Sequence, residues 1–247
     1  MWIPRWLGEC YSRLFTRFRK ETFTFQQAKE LLLTNENRLA VAFSKLHSKR
    51  ILLILDQGRP RLYRILDPEN FTLLASETVK NIEKIPQERY VKLVCDCFRK
   101  ATETLNIESF AVYGSVARGT ATPNSDIDIL LVSDDLNGSL GSRIEKLYAI
   151  EEMLRDELEW LGRKGIRTGL SFYPLKRCEA QKLPNLFLDL TEDAVILYDK
   201  SRFLERTLLE LRMKLLNLGA RRVFIDKERW YWDLKPDYKP GEIIAVT

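Results

Sequence analysis

The feature that most constrains this chain is one run near its centre, Gly114-Ser115-Val116-Ala117-Arg118-Gly119, which is followed by Ser125-Asp126-Ile127-Asp128. An apolar stretch, 110–113, enters this run and reads as a short strand. The polar stretch after Gly119 reads as a loop, and 126–132 reads as a second strand. A Gly-Ser turn that opens a helical turn presents backbone N–H groups and a hydroxyl, which suits an anion. Gly114 and Gly119 have no Cβ, so a phosphate can approach the backbone closely. Asp126 and Asp128 stand two apart on a strand, so both carboxylates project from one face. Two carboxylates facing a phosphate cradle describe a site for Mg²⁺ shared by protein and nucleotide. Other phosphate motifs do not fit: no Lys-Ser or Lys-Thr follows Gly119 as in a P-loop, and neither G-x-G-x-x-G nor G-x-S-x-G occurs here.

Gly114-Ser115, ten intervening residues and then Asp126-x-Asp128 in an apolar strand resemble the DNA-polymerase-β-like nucleotidyltransferase superfamily, in particular its minimal nucleotidyltransferase branch. The resemblance covers roughly residues 87–200. It implies an α/β (α+β) fold with a mixed sheet and helices. It also implies an NTP bound at the Gly-Ser turn and divalent metal, Mg²⁺ or Mn²⁺, at Asp126 and Asp128 as metal-binding and catalytic residues. Gly114, Ser115 and Gly119 would cradle phosphates, Arg118 would either offset transition-state charge or face solvent, and Ser125 or Asn124 would support the aspartates. The superfamily carries a third carboxylate on a later strand, but the corresponding segment here is Gly169-Leu170-Ser171-Phe172-Tyr173-Pro174. By strand alternation Ser171 takes that place. A serine can hydrogen-bond a metal-bound water but neither neutralises a metal ion nor accepts a proton at neutral pH; Ser171, or Asp189 or Glu192 folding back, is left to stand in for the third carboxylate.

Charge divides the chain unevenly. Residues 1–68 hold 13 Lys/Arg against 6 Asp/Glu, whereas the remainder holds 27 against 29. A basic module therefore precedes a nearly balanced one. Residues 2–20 read as an amphipathic basic helix with Trp2, Trp6, Leu7, Leu14 and Phe18 near one stripe, suited to packing on the next helices or to a membrane surface. Thr24 and Gln27 form a capping-box pair, and Asn35 caps a third helix. Segments 51–55 and 61–66, joined by a Gly-containing turn, read as a hairpin. Three helices and a hairpin resemble a winged helix-turn-helix domain with 36–49 as recognition helix and 51–66 as wing. That resemblance implies DNA or RNA contacts from Arg38, Lys45, Lys49, Arg50, Arg59 and Arg61, or alternatively a protein-docking role.

The expected organisation is a winged-helix domain over 1–68, a connection over 69–86 and a nucleotidyltransferase domain over 87–220. An aromatic and basic tail, 221–247, follows and packs on that domain or stacks nucleic-acid bases. Within the second domain, helices are expected over 87–106, from Ser139 to about 162, over 178–189 and over 202–218. Further strands are expected over 168–173 and 194–198. Cys10, Cys95, Cys97 and Cys178 show no C-x-x-C spacing, which points to free thiols in a reducing cytoplasm rather than zinc. The single histidine, His47, disfavours His-based mechanisms. No apolar run approaches the roughly 18–20 residues of a membrane span, and no secretory signal is evident. The expected activity is transfer of an NMP from an NTP to an acceptor hydroxyl on nucleic acid or protein. The alternative is a DNA-binding regulator whose nucleotidyltransferase domain has become a nucleotide sensor.

Overall fold

A computed structural model describes residues 3–226 and 229–239; Trp2 and positions 227, 228 and 240–247 of the tail lie outside them. Three helices open the chain: α1 (Arg5–Phe18), α2 (Phe25–Leu32) and α3 (Glu36–Ser48). The starts of α2 and α3 are those the sequence encodes, whereas α1 opens after Pro4 without a side-chain cap. Thr24 and Gln27 close a reciprocal capping box on α2, and the Asn35 side chain accepts the Arg38 N–H at 2.8 Å to cap α3. The hairpin follows as β1 (Leu52–Asp56) and β2 (Leu62–Ile65), antiparallel with Leu52 opposite Ile65. Leu7, Leu14, Phe23, Leu39, Phe43 and Leu46 bury themselves against Ile51, Leu52 and Ile65, and Phe23 pairs by backbone with Tyr63.

After α4 (Pro68–Ala75) and α5 (Val91–Thr104) comes a four-stranded mixed sheet of order β5-β4-β3-β6. Its strands are β3 (Ser109–Tyr113), β4 (Ile127–Val132), β5 (Leu170–Leu175) and β6 (Val195–Asp199). β3 runs antiparallel to β4 and β6, and β4 runs parallel to β5. The connection from β4 to β5 contains α7 (Leu140–Met153) and α8 (Arg155–Arg163); α6 (Gly114–Arg118) is the single helical turn after β3. Alternation along the strands divides the core. Phe110, Val112, Ile127, Ile129 and Leu131 pack with Phe98, Leu147 and Leu161 on one face. Ala111, Leu130 and Val132 face Phe187, Leu204 and Leu211 on the other. That second face is covered by α10 (Leu186–Asp193) and α11 (Phe203–Asn217), with the short α9 (Arg177–Ala180) between β5 and α10. The chain closes on a second hairpin, β7 (Arg221–Phe224) and β8 (Trp230–Asp233), in which Val223 lies opposite Tyr231.

Several sequence expectations shift. The helix expected to run to about 162 breaks at Leu154, because Leu154 closes α7 with ψ near 6° and α8 restarts on it. The helical segment expected over 178–189 is two helices, α9 and α10. The strand expected over 168–173 lies at Leu170–Leu175 and includes Pro174, which β5 tolerates because it is an edge strand.

The N-terminal unit is joined to the sheet by charge as well as by chain. Glu88 accepts from the Ile54 N–H at 2.7 Å and from Arg50, and its Oε1 lies 2.7 Å from His47 Nε2. Arg64 of β2 is fully buried in a bidentate pair with Glu157 of α8, its guanidinium 3.7 Å from the Trp160 ring centroid. Lys92 completes this cluster with Asp67, Asp96 and Glu157.

Candidate active site

The site grows out of the β3–α6 turn. Gly114 adopts φ +70° and Gly119 φ +77°, a region that L-side chains rarely occupy. A Cβ built on Gly114 would lie 2.1 Å from Asp128 Oδ2, so only glycine lets the turn pack on that carboxylate. The β3–β4 register sets Tyr113 opposite Asp128, which brings the turn and the aspartate together. On the far side of β4, Asp128 pairs in register with Ser171, whose hydroxyl hydrogen-bonds it. Asp126 Oδ1 accepts the Gly169 N–H at 2.9 Å. Asp126 immediately precedes β4 and Asp128 lies within it; beside them stand Gly169, just before β5, and Ser171 of β5, not a carboxylate.

The loop between turn and strand is held from outside. Gln87 makes two hydrogen bonds to the Ala121 backbone, Arg89 donates to the Ala121 carbonyl at 2.9 Å, and the Tyr90 hydroxyl donates to the Thr122 carbonyl at 2.9 Å. Ser125, expected beside the aspartates, instead accepts the Thr122 N–H at 2.9 Å and so fastens the loop to itself. Asn124 is likewise turned into the loop, its N–H donating to Thr122 Oγ1 at 3.3 Å. Pro86 covers Gly119, where an added Cβ would approach to 2.9 Å.

Electrostatically the site is short of cations. Among the described residues neither Asp126 nor Asp128 forms a salt bridge. Burial raises the Asp128 carboxyl above its ordinary range and the neighbouring Asp126 adds to this, against the Ser171 hydrogen bond and the more distant Arg118 charge. Burial and Asp128 also push the Tyr113 phenol upward. A further carboxylate, Glu151 of α7, escaped the sequence reading because the heptad-like pattern there accommodates either Ile150 or Glu151 on the buried side. It is raised by burial, accepts a backbone hydrogen bond at Leu170, and feels Asp126. A Cβ on Gly169 would sit 3.2 Å from Asp126 Oδ1 and 3.4 Å from Glu151 Oε1. Even so, no cluster of three or more His, Cys, Asp or Glu among the described residues is arranged to hold a metal ion.

The two proposed substitutes for the third carboxylate are engaged elsewhere. Asp189 Oδ1 receives Trp230 Nε1 at 2.8 Å, Trp232 Nε1 at 2.9 Å and Arg222 Nη2 at 3.2 Å. Glu192 lies 3.7 Å from Arg212 of α11. Arg118 points toward the same corner, with Nη1 3.1 Å from Asp193 Oδ2 and its guanidinium 4.7 Å from the Trp230 ring centroid.

Of the residues expected to meet nucleic acid, Arg50 is engaged within the fold and the others are exposed or half-buried. Arg38 and Lys45 are exposed and share a side of α3, with Arg38 5.8 Å from the Trp6 ring centroid. Arg59 and Arg61 are exposed in the hairpin turn, and Lys49 is half-buried. Arg50 is turned inward onto Glu88 and the Glu83 carbonyl, so its role is to join the two units.

A mixed sheet whose first turn packs against paired strand aspartates is the arrangement that the nucleotidyltransferase resemblance implies. The family described as Nucleotidyltransferase domain matches residues 95–182, a span that begins in α5 and contains the whole turn, loop and aspartate pair. No curated protein matches the chain significantly in sequence. Among solved structures, a toxin–antitoxin crystallised with AMP-PNP is similar at 13% identity and a TM-score of 0.33, over 51% of this chain and 92% of that one. A mutant of the toxin–antitoxin MntA-HpeT is similar at 10% identity and 0.32, over 51% and 92%. A candidate nucleotidyltransferase from Sulfolobus solfataricus is similar at 20% identity and 0.24, over 52% and 88%. Likenesses at this level assign no property to this chain.

Proposed function

We propose that this protein transfers a nucleoside monophosphate from an NTP to an acceptor hydroxyl, using Mg²⁺ or Mn²⁺. The observation that carries this reading is the packing of the Gly114 turn on Asp128 beside Asp126, two carboxylates without a cationic partner among the described residues. The donor set fits a hard divalent cation, because paired carboxylate oxygens are its usual protein ligands and its charge relieves the burial of Asp128. Asp126 and Asp128 would hold it. When bound, the cation supplies Lewis-acid charge to the phosphate oxygens.

The chain's own residues account for the rest. Gly114, Ser115 and Gly119 receive the phosphates along a backbone stripped of side chains. Arg118 offsets negative charge at the triphosphate. Gln87, Arg89, Tyr90 and Ser125 fix the loop, so that little ordering is left for the moment of binding. The Ser171 hydroxyl orients Asp128 in place of a third carboxylate. In the step itself, the acceptor oxygen bonds to the α-phosphorus, the bond from that phosphorus to its bridging oxygen breaks, and pyrophosphate departs with the displaced electron pair. The hydroxyl proton passes to solvent.

Purified protein incubated with NTPs radiolabelled at the α-phosphate, with Mg²⁺ or Mn²⁺, tests this directly. The reaction is run alone, with total RNA and with cell lysate. Label is expected on RNA or protein with the wild type and on neither with Asp126→Ala/Asp128→Ala. Equal labelling by the double variant would remove these aspartates from the site.

A further inference from the structure

The C-terminal hairpin reaches the motif turn through one tryptophan. Trp230 of β8 contacts two guanidiniums: Arg118 of α6 lies 4.7 Å from its ring centroid and Arg222 of β7 lies 4.5 Å away. Both arginines converge on Asp193 of α10. Arg118 Nη1 approaches Asp193 Oδ2 at 3.1 Å, and Arg222 binds the same carboxylate with both terminal nitrogens, at 3.0 and 2.6 Å. The Trp230 ring is itself pinned by its Nε1 donating to Asp189. The stack is therefore anchored at both edges, and the hairpin, far along the chain, ends on the last residue of α6.

We infer that the C-terminal hairpin is a strap that positions Arg118 for the NTP phosphates, with Trp230, Asp193 and Arg222 acting through Arg118 as positioning residues. This rests on the reading of the site as an NTP site. Arginine carries a long side chain whose rotamer freedom opposes fixed placement. Stacking one guanidinium face on Trp230 and tying one nitrogen to Asp193 leaves the remaining N–H donors of Arg118 free to turn to another acceptor. Its charge already reaches Asp128 without a direct ion pair. Arg222 satisfies Asp193 on both oxygens, so Asp193 guides Arg118 without claiming its whole charge.

The test is a double-mutant cycle on NTP affinity, measured by titrating a non-hydrolysable NTP with Mg²⁺ into the full-length protein. Trp230→Ala is expected to weaken binding about tenfold, the effect of one partly desolvated cation–π contact. In an Arg118→Ala background the same substitution is expected to change nothing, and Trp230→Phe, which keeps a ring, is expected to recover part of the affinity. In turnover, KM for the NTP should rise more than kcat falls. Nucleoside affinity, which involves no phosphate, should stay unchanged. An equal loss in both backgrounds, or a loss for nucleoside as large as for NTP, would reduce the strap to a general structural element and overturn the inference while leaving the site reading intact. A wild type that binds no NTP would overturn the site reading and the strap together. Urea unfolding of each variant confirms that affinities are compared between folded proteins.

Discussion

The single helical turn α6 packs between β4, which carries Asp128 with Asp126 just before it, and α10, which carries Asp189 and Asp193. The protein treats the two pairs in opposite ways. Asp189 and Asp193 are neutralised in place by Arg222, Arg118 and two indole N–H groups. Burial would raise Asp189, but the donors from Trp232, Trp230 and Arg222 outweigh it and hold its carboxyl below the usual range. Asp128 is raised instead, since burial meets only a serine hydroxyl and the weaker reach of Arg118. One pair is a finished structural joint, and the other is an unfinished charge balance. Burying a carboxylate against a hydroxyl alone is unfavourable, and the divalent cation proposed above would relieve it at Asp128. Position near an acidic cluster does not distinguish the two; the inventory of donors does.

The comparison can be broken most severely at Gly114. Gly114→Ala places a methyl group against Asp128 Oδ2 and forces a φ of +70° on alanine. The expected outcome is loss of transfer together with destabilisation of about 2–3 kcal/mol in urea unfolding. Asp189→Asn sharpens the contrast from the other side. It removes the charge that three donors share and should destabilise by about 1 kcal/mol at neutral pH, with the partial exposure of the site weakening the effect. The pH dependence fixes the sign. Asp189 is lowered in the folded state, so its contribution is present above the unfolded pKa and is lost as pH falls through the folded one. The deficit of Asp189→Asn should therefore close on acidification, as read by unfolding curves on either side of that transition.

Asp128→Asn should show the reverse, with a smaller amplitude. A raised carboxyl contributes stability that is fully present below its unfolded pKa and is lost as pH rises through the folded one. At neutral pH the amide removes an unfavourably buried charge, so a melting temperature equal to or slightly above that of the wild type is expected, with transfer at background. The advantage should vanish in acid. A melting temperature well below the wild type would show that Asp128 is structurally paired after all, and the contrast with Asp189 would disappear.

The sheet core around the motif was legible because its signals are local: alternation in 126–132, glycines where φ turns positive, and a fixed spacing from turn to aspartates. The caps at Thr24 and Asn35 were legible for the same reason. What the sequence hid is joined across long separations. Glu88 binds Arg50 and Ile54, more than thirty residues earlier, and a glutamate near a helix start otherwise reads as a solvated end. Arg64 occupies a strand position in a basic module and reads as a surface charge, yet its partner Glu157 lies 93 residues away and buries it. The break at Leu154 has neither glycine nor proline to announce it, and the apolar periodicity runs through it. Asp189 and Asp193 show a one-turn helical spacing, but nothing local says that Arg222, Trp230 and Trp232 will fold back to cover them.

The claim that the Asp126–Asp128 pair is completed by a divalent cation is tested most directly by titrating Mn²⁺ into the protein with a non-hydrolysable NTP while following its melting temperature. The wild type should bind Mn²⁺ and melt higher as it does, and Asp126→Asn/Asp128→Asn should do neither. The same Mn²⁺-dependent rise in the double variant, or no rise in the wild type, would contradict the account.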